Sequence, residues 1–477
     1  MQSGNDLLKK AYTTEDFDKE ASNLMTKISQ YLQADLSNKA MNYLTPDDQL
    51  DFWRKDFATS NKAELLELFD QIRAHSLNFH SKGYVGHQVA ITLPITVLTS
   101  AFISYLNNST TIYEVGMVGN AMEKVVIEHM AEKFGYVEGS TGIITSGGSL
   151  SNLTALVTAR TSSGIQDIDY YRLAVMVSEE AHYSVSRAAS IMGIRSDNII
   201  KVPVNKDCTI KTELLEQLYQ DAISKSKIIF CIVGCACTTS VGAYDDFQKI
   251  GEFAEKHQIW FHIDAAHGGP VIFSQKYKHL LNGVNHSDSI SVDFHKMMMT
   301  PSLSTLLLYN KRNHKLNEFS PKADYLWQEQ LSQEWHHSAL HTIECTKPLT
   351  IIHTYAIMRI YGDEIYAQNV NTLYDMGHHF AELIKSRKSL ELALEPCTNI
   401  VCFRYRPASG DIEKLNRIIS DRLLKDGTFY VVSTTVLGQF YLRVSLMNPL
   451  TNEEYLIAVL DKIVEFGREV EAHQNDK

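Results

Sequence analysis

Positive charge is scarce in this sequence. Against 56 Asp and Glu it sets 45 Lys and Arg, a formal charge of −11. No run of Lys or Arg exceeds two residues. Nucleic-acid binding draws on a basic surface that releases counterions, so a polyphosphate partner is disfavoured. A membrane-length apolar run is missing too: the longest stretch, Ile91 to Leu106, is broken by Pro94 and by several Thr and Ser. The opening MQSGNDLLKKAY lacks the apolar centre of a secretory signal, so a reducing, cytoplasmic setting is the expectation. Seven cysteines are too sparse, and odd in number, for a disulfide scaffold. Three of them, Cys231, Cys235 and Cys237, crowd into IIFCIVGCACTT, which reads as a buried strand running into a loop. Small buried thiols are favoured there over a metal site, because no second Cys/His group stands at structural-zinc spacing. No metal is expected. Internal repeats and low-complexity tracts are absent.

Apolar residues make up 44% of the 477 and charged residues 21%, the balance of an ordinary globular chain. That length suits one large domain with smaller pieces. Residues 1–85 read as a helical arm, with apolar stripes such as Phe17, Leu24, Ile28 and Leu32 that need a partner surface. Residues 86–370 read as the large domain. In it, apolar β-branched runs (142–145, 173–178, 199–202, 228–233, 259–264, 288–292, 304–309) alternate with helical stretches. That alternation predicts an α/β fold with a mostly parallel sheet covered on both faces, and places ligands beyond the carboxyl ends of the strands. Residues 371–477, with strands at 399–405, 428–433 and 439–446 between helices, read as a small α+β domain.

Four strand ends carry candidate chemistry. Thr145-Ser146-Gly147-Gly148-Ser149 enters a helix, and glycines with hydroxyls at a helix start can cradle an anion; a capped glycine turn is the bland alternative. His182 follows the second run and by itself is as well explained by packing. Asp264 ends an apolar strand in HIDAAHGG, where a carboxylate needs a cationic partner such as a pyridinium, and Ala266 is small enough for a flat ring to lie against. Lys296 in SVDFHKMMMTP sits in apolar company, and desolvation lowers a lysine pKa as an imine-forming amine requires; a snorkelling lysine is the alternative.

Taken together, TSGGSLSNLTAL, EEAHYSVSRAASIMG, TTSVGAYDD, HIDAAHGG and SDSISVDFHKMM resemble the group II pyridoxal phosphate-dependent amino-acid decarboxylases over about residues 80 to 350. The resemblance implies the fold-type-I architecture of pyridoxal phosphate enzymes and loss of CO2 from an L-amino acid to give the amine. It implies Lys296 as the Schiff-base lysine, Asp264 as partner of the pyridine nitrogen, and His182 and Ala266 on the ring faces. It places Gly148, Ser149 and His295 at the phosphate, with Thr239 beside the ring. Thr346, in ECTKP, would reach the phosphate of a partner subunit, so a homodimer with shared sites is implied and the helical arm would clasp the other protomer. A loop at about 318–345 would bring a tyrosine to protonate the product carbon, and Tyr325 is the only tyrosine in it. His87 and Arg443 are candidates to face substrate, against structural readings for both.

The chain departs from the family pattern at His80-Ser81, near Val118 and at Lys347, positions that line or support the substrate entrance in relatives, so the side chain of the substrate is left open. Aldehyde-forming oxidative decarboxylation, another fold-type-I lyase or aminotransferase activity, and a catalytically inactive relative are the competing readings.

Overall fold

A computed structural model describes residues 11–59, 64–310, 336, 338 and 341–475. The chain divides into two compact units. One joins residues 1–86 to 407–432 and 450–477; the other holds 87–406 and 433–449. This division crosses the three regions read from the sequence: the C-terminal strands group with the large sheet, and the last two helices group with the N-terminal arm.

The first unit contains helices α1 (Phe17–Ala34), α2 (Pro46–Ala58) and α3 (Leu65–Ala74). Thr45 accepts from the Asp48 N–H and Pro46 follows it, a cap and a first-turn proline that start α2. The 428–433 segment, expected as one strand, is mostly something else. Tyr430 exchanges backbone hydrogen bonds with Gly83 and Val85, and its ring stacks on Tyr84. The ladder strand begins only at Val432.

In the second unit, helices α4 (Ile95–Leu106) and α5 (Tyr113–Lys133) precede the first strand. The run Ile91 to Leu106 thus enters a 12-residue helix after Pro94. Then follow β1 (Thr141–Thr145), α6 (Gly148–Ser162), β2 (Leu173–Ser178), α7 (Tyr183–Ile191), β3 (Ile199–Val202), α8 (Leu215–Ser224), β4 (Ile228–Cys235), α9 (Phe247–His257), β5 (Trp260–Asp264), β6 (Ser289–Asp293) and β7 (Thr305–Tyr309). The strands form one seven-stranded sheet in the order β1-β7-β6-β5-β4-β2-β3. Only β7 runs against its neighbours, pairing antiparallel with β1 and β6. Every residue of β2, β5, β6 and β7 is buried, as strands sandwiched between helical layers require. Each fully buried Val, Leu or Ile contributes about 1.5–3 kcal/mol.

Beyond the sheet lie α10 (Ile351–Tyr361) and α11 (Glu364–Lys385). A second, four-stranded sheet is ordered β10 (Val432–Val436), β11 (Gln439–Ser445), β9 (Ile400–Tyr405) and β8 (Leu390–Leu392). Two further helices, α12 (Ile412–Asp426) and α13 (Glu453–Asn475), belong to the first unit. No helix among the described residues is long and apolar enough to cross a membrane.

What positions the site is register. Cys235 pairs with Asp264 and Asp264 with Ser291, while Asp293 and Thr145 both pair with Thr305. The parallel strands therefore finish nearly level, with β6 running on to Asp293 past the ends of β4 and β5, and the residues that follow them share one edge of the sheet.

Candidate active site

At that edge lies a cavity of about 290 Å³. Gly148, Ser149, His182, Thr239, Asp264, Ala266, His295 and Lys296, all singled out from the sequence, line it.

One wall is the start of α6. Gly147 takes φ +104°, a conformation L side chains rarely adopt, and no side chain caps the helix that begins at Gly148. The open amino end of this 15-residue helix faces the cavity with Ser146 and Ser149, a natural seat for an anion. A Cβ on Gly148 would come within 3.1 Å of Asp293 Oδ1 and 3.5 Å of Ala266 Cβ, so a side chain there would press on the Asp293 carboxylate.

Asp264, at the end of β5, is buried. Its Oδ2 accepts from Asn152 Nδ2 at 2.8 Å and its Oδ1 from the Ala266 N–H at 3.2 Å. His182 caps α7, and its Nδ1 meets Ser184 Oγ at 2.7 Å. Burial holds the His182 imidazole below its ordinary pKa; the Asp264 charge opposes this without reversing it. His267 is buried against Asn399 at 2.9 Å, and burial pushes its pKa down to about 3.

Lys296 departs from expectation in one respect. Its apolar neighbours Met297, Met298 and Met299 are buried, but the turn after β6 brings the amine back to Asp293 Oδ2 at 2.8 Å. Burial alone lowers the amine, yet the Asp293 carboxylate, then Asp264, outweigh it, and the net shift is upward. The lowered pKa expected from desolvation is thus corrected: a half-buried cation with a carboxylate in contact keeps its proton. Asp293 is itself held by Thr305 Oγ1 at 2.5 Å, and its pKa lies below the ordinary carboxylate value although burial opposes this. His295 Nε2 stands 3.6 Å from the same carboxylate.

Other candidates lie off the cavity wall. Arg443 is buried and donates from Nη1 to the Thr239 carbonyl at 2.7 Å. His87 is not on the wall, whereas its neighbour Gln88 is, with its Nε2 buried and given no hydrogen-bond partner by the described residues. Thr346 accepts from Thr111 Oγ1 at 3.0 Å. Lys347, expected near the substrate entrance, is buried; it donates to the Ile144 carbonyl and pairs with Glu123 at 3.7 Å. Glu123 in turn accepts from the Ile144 N–H at 2.8 Å, so Lys347 braces β1 from behind. Tyr325 lies outside the described residues.

Sequence reasoning missed Asp293, Asn152, Ser184, His267 and Gln88. Two had a signal: Asp293 stands three residues before Lys296, and Asn152 one helical turn after Gly148. Cys231, Cys235 and Cys237 are buried thiols, and burial raises all three. Among the described residues no cluster of three or more His, Cys, Asp or Glu is placed to hold a metal.

A lysine amine, a strand-end carboxylate, an imidazole and a glycine-lined helix start in one cavity are the donor set that pyridoxal phosphate requires, and the residues present fit it. The sequence profile of the pyridoxal-dependent decarboxylase conserved domain matches residues 95–406. The chain is 28% identical to an L-aspartate decarboxylase of Metarhizium robertsii, covering 83% of this chain and 81% of that protein. It is 27% identical to an L-2,4-diaminobutyrate decarboxylase of Acinetobacter baumannii, over 82% and 80% of the two chains. An acidic amino acid decarboxylase of Homo sapiens matches at 27%, over 96% and 91%. Among solved structures, Catharanthus roseus tryptophan decarboxylase in complex with L-tryptophan superposes with TM-score 0.86 at 21% identity, over 96% and 99%. The likeness to that structure shows the fold.

Proposed function

The chain belongs to the pyridoxal-dependent decarboxylase family and is a carboxy-lyase that acts on an amino acid with pyridoxal 5′-phosphate; within that activity we propose that Lys296, Asp264 and His182 carry the reaction, which converts an L-amino acid to its amine and CO2. The observation that supports this assignment is that the three side chains and the Gly147–Ser149 cradle come from four separate strand ends yet line one cavity.

When bound, the cofactor supplies an electron sink for the carbon that loses CO2. Gly148, Ser149 and His295 would hold its phosphate, with the positive end of α6 adding to the attraction. Asp264 would keep the ring nitrogen protonated and is fixed for this by two N–H donors. His182 and Ala266 would take the ring faces, and Thr239 would lie beside it. Lys296 would provide the amine that holds the cofactor covalently. On the resemblance alone, Tyr325 is assigned the final protonation of that carbon, and His87 and Arg443 are retained as substrate candidates at the margin of the site.

The working unit is read as a homodimer. Leu98, Phe102 and Tyr105 stand one helical turn apart on α4 and are all more than half exposed, at 59%, 54% and 80%. Tyr113, Met117 and Val118 of α5 are exposed as well. So much apolar surface on one unit suits a second copy of the chain. Thr346 would then serve the partner's phosphate. Seven unpaired cysteines accord with a reducing, cytoplasmic setting.

The test is a panel of the twenty amino acids with ornithine and diaminobutyrate, scored for CO2, amine, aldehyde and peroxide. CO2 with an equal amount of amine from one group of substrates is the expected result, lost in Lys296→Ala together with the visible absorption of bound cofactor. Aldehyde, ammonia and peroxide as products would overturn plain decarboxylation. Amino-group transfer without CO2 would mark an aminotransferase, and no turnover of any substrate an inactive relative.

A further inference from the structure

Behind the cavity wall runs a continuous chain of buried polar side chains. Trp260 Nε1 donates to Ser289 Oγ at 2.8 Å, and Ser289 Oγ meets His262 Nδ1 at 2.8 Å. His262 Nε2 meets Asn152 Oδ1 at 3.0 Å. Asn152 Nδ2 spends its two hydrogens on Asp264 Oδ2 at 2.8 Å and on Ser184 Oγ at 2.9 Å. Ser184 Oγ closes the chain on His182 Nδ1 at 2.7 Å. Asn152, Ser184, Ser289 and His262 are each at most 2% exposed, so water does not compete for these bonds.

The direction of every bond follows from its ends. Asp264 Oδ2 can only be satisfied by a donor, so Asn152 turns its NH2 toward the carboxylate and its carbonyl toward His262. His262 must therefore donate from Nε2. Burial brings its pKa down to about 4, so the ring is neutral and its Nδ1 accepts the Ser289 hydroxyl hydrogen. At the other end His182 Nδ1 accepts from the Ser184 backbone N–H and so carries no hydrogen of its own, and the Ser184 hydroxyl, which accepts from Asn152, turns its one hydrogen to that nitrogen. The Ser184 backbone N–H points at the same nitrogen, at 3.3 Å. Two donors meet on Nδ1, and a neutral His182 must carry its proton on Nε2.

We propose that Asn152 and Ser184 are positioning residues that set the tautomer of His182, so that its free Nε2 is a hydrogen-bond donor. The carboxylate that would hold the cofactor's ring nitrogen thereby also fixes, through one amide and one hydroxyl, which edge the neighbouring imidazole can offer. A reversed Asn152 would set its carbonyl against the Asp264 carboxylate, so the two groups are coupled by charge and not by packing alone.

The experiment is nitrogen NMR of histidine-labelled protein without cofactor, with the His182 signal assigned by its loss in His182→Gln. It needs no turnover, so its outcome is separate from that of the decarboxylase reading. The expected spectrum shows His182 with a bare Nδ1 and a protonated Nε2. In Ser184→Ala and Asn152→Ala the Nδ1–H form should appear, and Ser184→Thr, which keeps the hydroxyl, should restore the parent pattern. A protonated Nδ1 in the parent protein would overturn the proposal even if Asn152→Ala failed to fold. So would an unchanged tautomer in a folded Ser184→Ala and a folded Asn152→Ala, whatever their loss of stability.

Discussion

The Lys296 amine and the Asp293 carboxylate stand 2.8 Å apart, the carboxylate side chain 3% exposed and the amine side chain 21%. An ammonium is no nucleophile, so the lysine must shed a proton before it can bond to a carbonyl. Asp293 holds that proton in place. In Asp293→Asn the amine should lose its upward shift, and each unit of fall multiplies the free amine at neutral pH about tenfold. Covalent capture of added pyridoxal phosphate, followed by stopped-flow absorbance from the cofactor-free protein, should then be faster than in the parent. An unchanged rate would show that Asp293 does not govern the amine.

The same pair should leave a pH signature on folding. A raised lysine stabilises fully below its ordinary pKa, and the effect is lost as pH rises through the folded value. A lowered aspartate stabilises above its ordinary pKa, and the effect is lost as pH falls through the folded value. The pair therefore supports the fold between roughly pH 4 and pH 10. Asp293→Ala at pH 7 leaves the half-buried amine without its carboxylate and should destabilise the protein in urea unfolding by less than the ~3–5 kcal/mol of a fully buried pair, because the amine keeps some contact with water and can shed its proton.

Gly147 sits at φ +104°, and a Cβ there would come no nearer than 3.5 Å to the Leu303 side chain, so strain and not space is the obstacle. Gly147→Ala should destabilise the protein by about 1–3 kcal/mol. It should also loosen pyridoxal phosphate by about tenfold if the cradle loses about 1.4 kcal/mol of binding. Equilibrium titration of the cofactor reads the second effect separately from the first.

Lys347 is paired inside the protein, so its removal should not redirect specificity. Lys347→Met leaves Glu123 buried without its cation and should cost about 3–5 kcal/mol. The order of preference across the amino-acid panel should be that of the parent. A changed preference would return Lys347 to the substrate entrance.

A charge on the exposed face of α4 tests the dimer. Phe102→Asp should shift sedimentation toward the monomer at micromolar protein and reduce CO2 release in step, because the reading has each site borrow Thr346 from the other copy. A variant that remains dimeric, or a monomer with full activity, would count against shared sites.

Much of this is legible in the sequence. The central strands are, because an apolar run such as 173–178 bounded by helical periodicity admits few other readings, and β2 occupies those very residues. Helix α11 is not, although its inward face buries Tyr366, Val370, Leu373 and Tyr374; what its apolar residues pack against lies far away in the chain. Lys296, Asp264 and His182 stand out because each ends or closely follows a recognisable run. Asn152 offers only its spacing of one helical turn from Gly148, since its meaning depends on how α6 lies across the end of β5. The direction of the Lys296 shift is hidden for a similar reason: the methionines beside it are visible in sequence, whereas the returning turn that delivers Asp293 is not. Lys347 reads as a boundary cation until Glu123, 224 positions earlier, is seen behind it.

The nearly level finish of the strands makes the site a matter of counting. Side chains alternate between faces of a strand, so removing one residue from β5 ahead of Asp264 would carry that carboxylate to the opposite face and bring the Ala265 methyl to the spot where it belongs. Loops between the strands can lengthen or shorten with little harm, but the strands themselves cannot change parity. Lineages of this chain should therefore accumulate insertions and deletions outside Trp260–Asp264 and Ser289–Asp293, with none of odd length inside them.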